Sequence, residues 1–559
     1  MIPEEARALR NAAPQKGRSF RFTRPITANR PILPPPLPPD SLRKVAVVSE
    51  RTSPTRSKTP HAADPLTLDD DATLHAMGYP RKLTRRFRAF DNFAISFTII
   101  NIISGIFSSF GFGMNAGGPR ILILGWIGVS VMVLFVGAAM GEIASAYPTS
   151  GALYFSAGKL AKRHQGAWSW YTGWLNFVGQ VGGTAATNFA AATFIQAFVS
   201  MRWPSYEPTP QQTVGITAAI LLVQALANTY TVRLVAVVNR ISVWWLLIGM
   251  VVIVGALALI PDHHQPPSFA LHFVNNTGFT HALYGGMLGL LVTSWTFTGF
   301  DGSFHMSEET VKATVNAPRG IMRAISYSAI TGLILMLALV YAIRDYGHAA
   351  SADAPPVQIL VDALGQSTAQ FLLLIVIGAM LFCGLANMTS NTRQIFAFSR
   401  DGAMPGSRWW HSVSARTRTP VKAVWLAAAC PLVLVLPGWW SHTAFTAVVS
   451  VNVVGLFLAY AVPIFLRLRL DDFQAGPWNL GRYGKPVAAV AVAWILISNV
   501  LFMLPQASPI TPASFNYAPI ALAVVLVIAT VWWFATARRR FQGPVSYGRP
   551  DEVAAMDLI

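Results

Sequence analysis

From Asp91 onward the chain divides into twelve apolar runs, each close to the roughly 20 residues a helix needs to cross a bilayer. Inside hydrocarbon every backbone N–H and C=O must find its partner within the protein, which leaves helices or closed barrels. Runs of this length fit helices. The expected fold class is therefore an all-α polytopic membrane protein with twelve transmembrane helices. Charge agrees with that reading. Only 12% of residues are charged and 53% are hydrophobic, whereas a soluble protein carries about a quarter charged residues. Two cysteines, Cys383 and Cys430, sit inside apolar runs and are too few for a disulfide framework.

A net charge of +18 invites a nucleic-acid reading. The placement of the charge excludes it. Seventeen of the 42 Lys and Arg precede Phe90, and nearly all the rest fall in short gaps between apolar runs. With the N-terminus in the cytoplasm, the outward connections hold only Arg120, Arg202 and Arg344, while the inward ones hold Lys159, Lys162, Arg163, Arg233, Arg240, Lys312 and more. That asymmetry predicts both termini on the cytoplasmic side of the cell's inner (plasma) membrane. Residues 1–70, with PILPPPLPPD at 31–40, read as a disordered cytoplasmic tail. Residues 71–90 mix basic and apolar residues as an interfacial helix would. Residues 538–559 read as a second cytoplasmic tail.

Two runs are interrupted by glycine. The first contains IISGIFSSFGFGMNAGG, with Gly105, Gly111, Gly113, Gly117 and Gly118 close together, and the sixth contains SWTFTGFDGSFHMSEET, where Gly299 and Gly302 flank Asp301. A glycine alone in a membrane helix often serves close packing. Breaks in the first helices of two five-helix halves point instead to an inverted-repeat transporter with its site at the midplane. The expected organisation is a first repeat over 91–260, a second over 284–466, and two further helices over 486–537. Unwound backbone at the breaks offers N–H groups to a carboxylate and C=O groups to an ammonium.

Several segments also carry a family resemblance. Gly141-Glu142-Ile143-Ala144-Ser145-Ala146-Tyr147-Pro148-Thr149-Ser150-Gly151 resembles the segment after the second helix of amino acid–polyamine–organocation permeases, and Ser399-Arg400-Asp401-Gly402-Ala403-Met404-Pro405 resembles their loop after helix eight. Gly299-Phe300-Asp301, Glu308-Glu309-Thr310 and Ala317-Pro318-Arg319-Gly320-Ile321 resemble the sixth-helix region of the amino acid/choline transporter branch, which includes the GABA permeases. The resemblance implies a five-plus-five inverted repeat with two extra helices, alternating access, and a substrate held by the breaks of helices one and six. It implies that Ile103, Ser104, Gly105 and Ile106 carry the substrate carboxylate, and Phe297, Thr298 and Gly299 the amine. Many relatives have Gly-Ser-Gly in helix one where this chain has Ile103-Ser104-Gly105.

Among charged residues Asp301 stands out, because an ionisable group within a span is costly and functional by default. It fits three roles: partner of a substrate amine, holder of a coupling proton, or cap of the resumed helix. Glu142 fits a gate residue held in an ion pair, or a solvated helix end. Glu308 and Glu309 are expected near the cytoplasmic interface, in a gating or surface role. His305 lies one helical turn beyond Asp301 and fits a packed histidine or a proton relay. Trp295, Phe297 and Phe300 are candidate aromatic walls for an amine. Thr389 and Ser390 sit where sodium-coupled relatives place hydroxyl ligands, although such hydroxyls also bond helix carbonyls. No cofactor or metal cluster is expected, and the coupling ion is a proton or sodium. No hydrolase or metalloprotease motif is present. The sequence thus reads as a secondary transporter of GABA-like amino acids, choline or polyamines, or as a non-transporting sensor with the same fold.

Overall fold

The computed structural model describes residues 65–557 apart from 231, 416, 441–450 and 513. Most of the expected N-terminal tail lies outside the described residues. Its last six positions do not behave as a tail, since Pro65–Ala76 forms a helix, α1. The helix expected over 71–90 is thus displaced, and 77–88 holds no helix. Asp70 explains the shift: its carboxylate accepts from the backbone N–H of Lys312 (2.6 Å) and Ala313 (3.0 Å), tying α1 to the start of a distant helix.

The bundle follows as α2 (Ala89–Ile100), α3 (Ile102–Asn115), α4 (Trp126–Ala146), a short α5 (Ala152–Leu160), α6 (Gln165–Arg202), α7 (Pro210–Tyr230) and α8 (Val232–Leu259). After a loop come α9 (Ala282–Gly289), α10 (Leu291–Thr296), α11 (Gly302–His305), α12 (Ala313–Tyr341), α13 (Pro355–Leu364) and α14 (Gln366–Arg400). The last elements are α15 (Val421–Val435), α16 (Val451–Leu468), α17 (Gly484–Met503), α18 (Ala518–Trp532) and α19 (Pro550–Met556). No β-strand is present among the described residues.

Ten helices among the described residues are long and apolar enough to cross a membrane. The other two of the twelve expected runs are α6 and the interrupted stretch α9–α11. α6 has 38 residues but is less apolar, because Thr172, Asn176, Gln180, Thr184 and Asn188 recur at every fourth position and are all buried. A helix repeats its face nearly every four residues, so these side chains form one polar stripe turned into the bundle.

Packing pairs the two halves. α4 packs on α12, α6 on α14 and α7 on α15, so three helices of the first half lie against their counterparts in the second. α6 also packs on α7 as α14 does on α15. That pattern is what a pseudo-two-fold relation between repeats produces.

The C-terminal segment is not a free tail. α19 packs on α1, Tyr547 N–H donates to the Gly78 carbonyl (3.0 Å), and Asp557 accepts from the Arg81 N–H (2.6 Å). Val553 is fully buried in this contact.

Candidate functional site

The first run breaks at Asn101, not at its glycines. Asn101 has φ 39° and ψ 79°, a left-handed conformation that asparagine tolerates better than most residues. Its side chain accepts from Ser104 N–H (3.0 Å) and donates to the Ala379 carbonyl (2.6 Å), so it ends α2 and caps α3 together. Gly105 N–H donates to the Asn101 carbonyl (2.9 Å). The donors of Ser104 and Gly105 are therefore engaged within the protein. Ile102 and Ile103 are the first residues of α3, where a helix offers N–H groups that have no acceptor within its own turns. Gly105 has a different use: a Cβ there would lie 2.5 Å from Thr296 Cγ2, so its absence lets α3 and α10 touch.

The sixth run breaks where expected. α10 ends at Thr296, Gly299 has φ +78°, and α11 begins at Gly302. A Cβ on Gly299 would come within 2.1 Å of Ile99 Cγ2, which places the two breaks side by side. Among the described residues no donor reaches the carbonyls of Phe297 and Thr298. The N-terminal end of α3 and the C-terminal end of α10 thus meet, one offering the N–H groups of a helix start and the other the free C=O groups of Phe297 and Thr298. Helix dipoles reinforce that polarity, positive at the first and negative at the second.

The side chains around the breaks divide unevenly. Ile103, Ile106, Phe297 and Phe300 are buried, and Ser104 is nearly so. Phe297 packs on Trp126 with centroids 5.3 Å apart, and Phe300 on Tyr460 at 5.0 Å. Both rings are thus engaged in the core. Trp295 and Thr298 are only half-buried, and Thr298 bonds back to the Trp295 carbonyl (3.0 Å). Thr389 Oγ1 has two acceptors in reach of its one hydrogen, Asn228 Oδ1 (2.7 Å) and the Leu385 carbonyl of its own helix (2.9 Å), while Ser390 Oγ meets no partner among the described residues.

Asp301 is fully buried and does not cap α11. Its Oδ1 accepts from the Tyr460 hydroxyl (2.8 Å), its Oδ2 from Gln180 Nε2 (3.2 Å), and His305 Nε2 lies 3.2 Å from Oδ2. His305 is equally buried, with Nδ1 3.0 Å from the Ser150 carbonyl and Nε2 3.1 Å from Asn176 Nδ2. Tyr460 in turn accepts from Gly299 N–H (3.1 Å). The acid is thereby linked to the backbone of the break through one hydroxyl.

The remaining acids are not solvated. Glu308 pairs with Arg400 (2.9 Å) and Glu309 with Arg393 (2.7 Å), all four buried, so a surface role for these acids is overturned. Each acid is compensated by a guanidinium from α14, which is how a buried carboxylate is tolerated. Glu142 is buried and paired with Arg467 (3.0 Å), and it also accepts from Leu480 N–H (3.3 Å), which overturns the solvated alternative. Asp401, just beyond α14, accepts from the hydroxyls of Tyr79 (2.9 Å) and Tyr154 (3.0 Å). Burial pushes its carboxyl up to about 6, with Arg400 and the two hydroxyls pulling the other way.

Reading the sequence missed Asn101, Asn176, Gln180 and Tyr460. The four-residue spacing of amides in the third run was a usable signal for two of them. Tyr460 sits in an apolar run with nothing to mark it.

A family model described as amino acid permease matches residues 88–528. Amino-acid permease BAT1 of Arabidopsis thaliana is 37% identical over 494 residues, covering 85% of this chain and 96% of that protein. Its homolog in Oryza sativa is 35% identical, covering 85% and 95%. Amino-acid permease 2 of Neurospora crassa is 31% identical, covering 86% and 90%.

Proposed function

The chain belongs to the amino acid permease family as a multi-pass membrane protein that transports amino acids, and we propose that it is a proton-coupled secondary carrier for zwitterions bound between its two helix breaks. One observation carries this reading: the start of α3, with the N–H groups of Ile102 and Ile103, lies against the end of α10, where the carbonyls of Phe297 and Thr298 have no donor among the described residues. A substrate carboxylate suits the first pair and its ammonium the second, without a side-chain charge. Choline and polyamines lack the carboxylate, so free amino acids, GABA-like ones included, fit better. Alternating access then opens the gap to either side in turn, with the Glu142–Arg467 pair closing the inward path and both termini in the cytoplasm. Asp301, the buried acid beside the break, is the coupling group.

The test uses purified protein in liposomes. Radiolabelled amino acids, choline and spermidine are offered with an inward pH gradient, a sodium gradient, or neither. Amino acid accumulation driven by the pH gradient is expected. Accumulation of choline or spermidine in preference to every amino acid would overturn the substrate class, and drive by sodium alone would overturn the coupling.

A further inference from the structure

Three arginines in a row, Arg538–Arg540, close the last span, and all three are exposed. That span is the least buried of those described. Val524, Val527, Ile528 and Val531 recur at steps of three and four along α18, and each is more than half exposed, so they form an apolar stripe on one face. The negative end of a helix offsets only about half a unit charge. Most of the charge on the three guanidinium groups therefore needs a partner elsewhere. Acids on neighbouring loops are already engaged: Asp471 with Lys485, Asp472 with Lys162, and Asp551 and Glu552 with Arg549. Among the described residues no carboxylate pairs with Arg538, Arg539 or Arg540.

Beyond Arg540 the chain turns back against a second basic segment. The Phe541 ring is buried against Trp170 (centroids 5.7 Å apart) and Phe398 (6.1 Å). A Cβ on Gly166 would lie 3.1 Å from the Gln542 backbone, and one on Gly158 would lie 2.5 Å from Pro544 Cδ. Residues 541–544 are thus laid along the connection between α5 and α6, where Lys159, Lys162 and Arg163 are exposed. Lys162 reaches Asp472 at 3.4 Å, a pair open to solvent on both sides, and Lys159 rests over the Phe155 ring at 5.5 Å. Six cationic side chains share this end of α6 and α18, and one exposed carboxylate pairs with any of them.

Tryptophans set the depth of the patch. Trp170 packs on Trp532 (5.5 Å) and Trp533 (5.6 Å) and donates to the Ala529 carbonyl (3.0 Å), which locks the start of α6 to the end of α18. Trp168 is exposed beside them, and Trp532 is half-buried. Indoles favour the level of the lipid headgroups. Arg538 follows Trp533 by five residues, roughly 8 Å along a helix axis, which is where the phosphates of that leaflet lie. A guanidinium is suited to phosphate, because its fork of N–H groups can donate two parallel bonds.

We propose that this patch binds the headgroup of an anionic phospholipid, with Arg538–Arg540 on its phosphate and its acyl chains along the stripe of α18. The stripe is what selects a lipid over a soluble anion, since the same helix face passes from hydrocarbon contact into the cationic turn. The proposal goes beyond the transport reading and does not depend on it.

The experiment is a competition read by native mass spectrometry. Full-length purified protein in a non-ionic detergent is offered equal amounts of phosphatidylglycerol and phosphatidylcholine with the same acyl chains. Wild type is expected to retain phosphatidylglycerol in preference by about tenfold or more, since each basic residue near an anionic headgroup favours binding by about fivefold. Arg538→Gln, Arg539→Gln and Arg540→Gln together should abolish most of that preference, while Lys at the same three positions should keep most of it. If the triple Gln variant fails to fold, Arg539→Gln alone should lower the preference by about fivefold. Arg319→Gln, Arg323→Gln and Arg408→Gln together remove equal charge from exposed positions elsewhere and should leave the preference unchanged. An equal loss in that control would reduce the effect to net charge and overturn the site. So would a wild type that does not distinguish the two lipids, or a triple Gln variant that still does. Displacement of phosphatidylglycerol by excess inorganic phosphate would make it a site for soluble anions and overturn the lipid assignment.

Discussion

Replacing Gly105 by Ala tests whether the contact between α3 and α10 sets the dimensions of the site. The added Cβ would lie 2.5 Å from Thr296 Cγ2, 2.7 Å from Oγ1 and 2.9 Å from Cβ. Carbon atoms prefer about 3.5–4.0 Å, so the shortfall is roughly 1 Å. Rotating Thr296 does not relieve it, because its Cβ is already too close. Rotation would also break the bond from its hydroxyl to the Val292 carbonyl (3.0 Å). The helices must part, at a cost of about 1–3 kcal/mol typical of overpacking. The start of α3 and the Phe297 carbonyl part with them, so amino acid affinity should fall by about tenfold or more, equivalent to roughly 1.4 kcal/mol. Thr296→Gly removes all three clashing atoms, and the double variant should regain most of the lost affinity. Gly105→Leu should abolish binding outright. The assay is scintillation proximity binding on purified protein, with thermal unfolding in parallel. Native affinity in Gly105→Ala would refute the reasoning, and so would a double variant no better than the single.

Three further outcomes follow from the same geometry. Glu142→Ala and Arg467→Ala should each lower unfolding stability by about 3–5 kcal/mol, because each strands a buried charge; the double variant should lose less than the sum, and single losses under about 0.5 kcal/mol would deny the pair any structural role. Trp295→Leu should weaken amino acid binding about threefold or more with little change in melting temperature, whereas Phe297→Leu, buried against Trp126, should lower the melting temperature; the reverse assignment would exclude Trp295 from the site. Asp401 supplies a pH test: its folded carboxyl titrates near 6 because of burial, above the unfolded value, so the native state binds the extra proton and stability rises as pH falls from about 6 to 4. The gain is on the order of 3 kcal/mol; Asp401→Asn should remove that rise in a melting-temperature series, and an unchanged series would contradict it.

The helical skeleton was legible because run length and charge asymmetry are set by the bilayer, which acts on every span alike. The site was legible only in part. Gly299 announced the second break because a left-handed φ in a span strongly favours glycine. The first break was misplaced because Asn101 does the same work with an amide that also caps α3, and a lone asparagine before a glycine-rich run gives no comparable signal. Asp301 could be singled out from its cost in hydrocarbon, but most of its partners could not. Only His305, four residues on, is marked by spacing; Gln180 and Tyr460 reach Asp301 from two other elements, and such convergence is a product of packing. The same holds for Glu308 and Glu309. Adjacent acids read as solvated until the fold brings Arg400 and Arg393 onto them.

Those two ion pairs also bear on how the bundle can move. α11 is only four residues long, too short to hold its place by its own hydrogen bonds. It is tied instead to its neighbours. Ser303 accepts from Ser96 Oγ (2.7 Å) and donates to the Asn92 carbonyl (2.7 Å), and Asn92 Nδ2 reaches Thr310 (3.0 Å), which laces α11 to α2. Glu308 and Glu309 lace the following turn to α14. Separating α11 from α14 would strand two buried charges of each sign, at several kcal/mol for each pair. The break itself is held by neutral groups, through the bond from Gly299 to Tyr460, the bond from Ser96 Oγ to the Phe300 carbonyl (2.7 Å) and the contacts of Ile99 and Thr296. The weakest seam in this region therefore runs between the two breaks and not through α2, α11 and α14. A rearrangement that exposes the break is least costly when those three elements shift as one block, with Tyr460 at its margin.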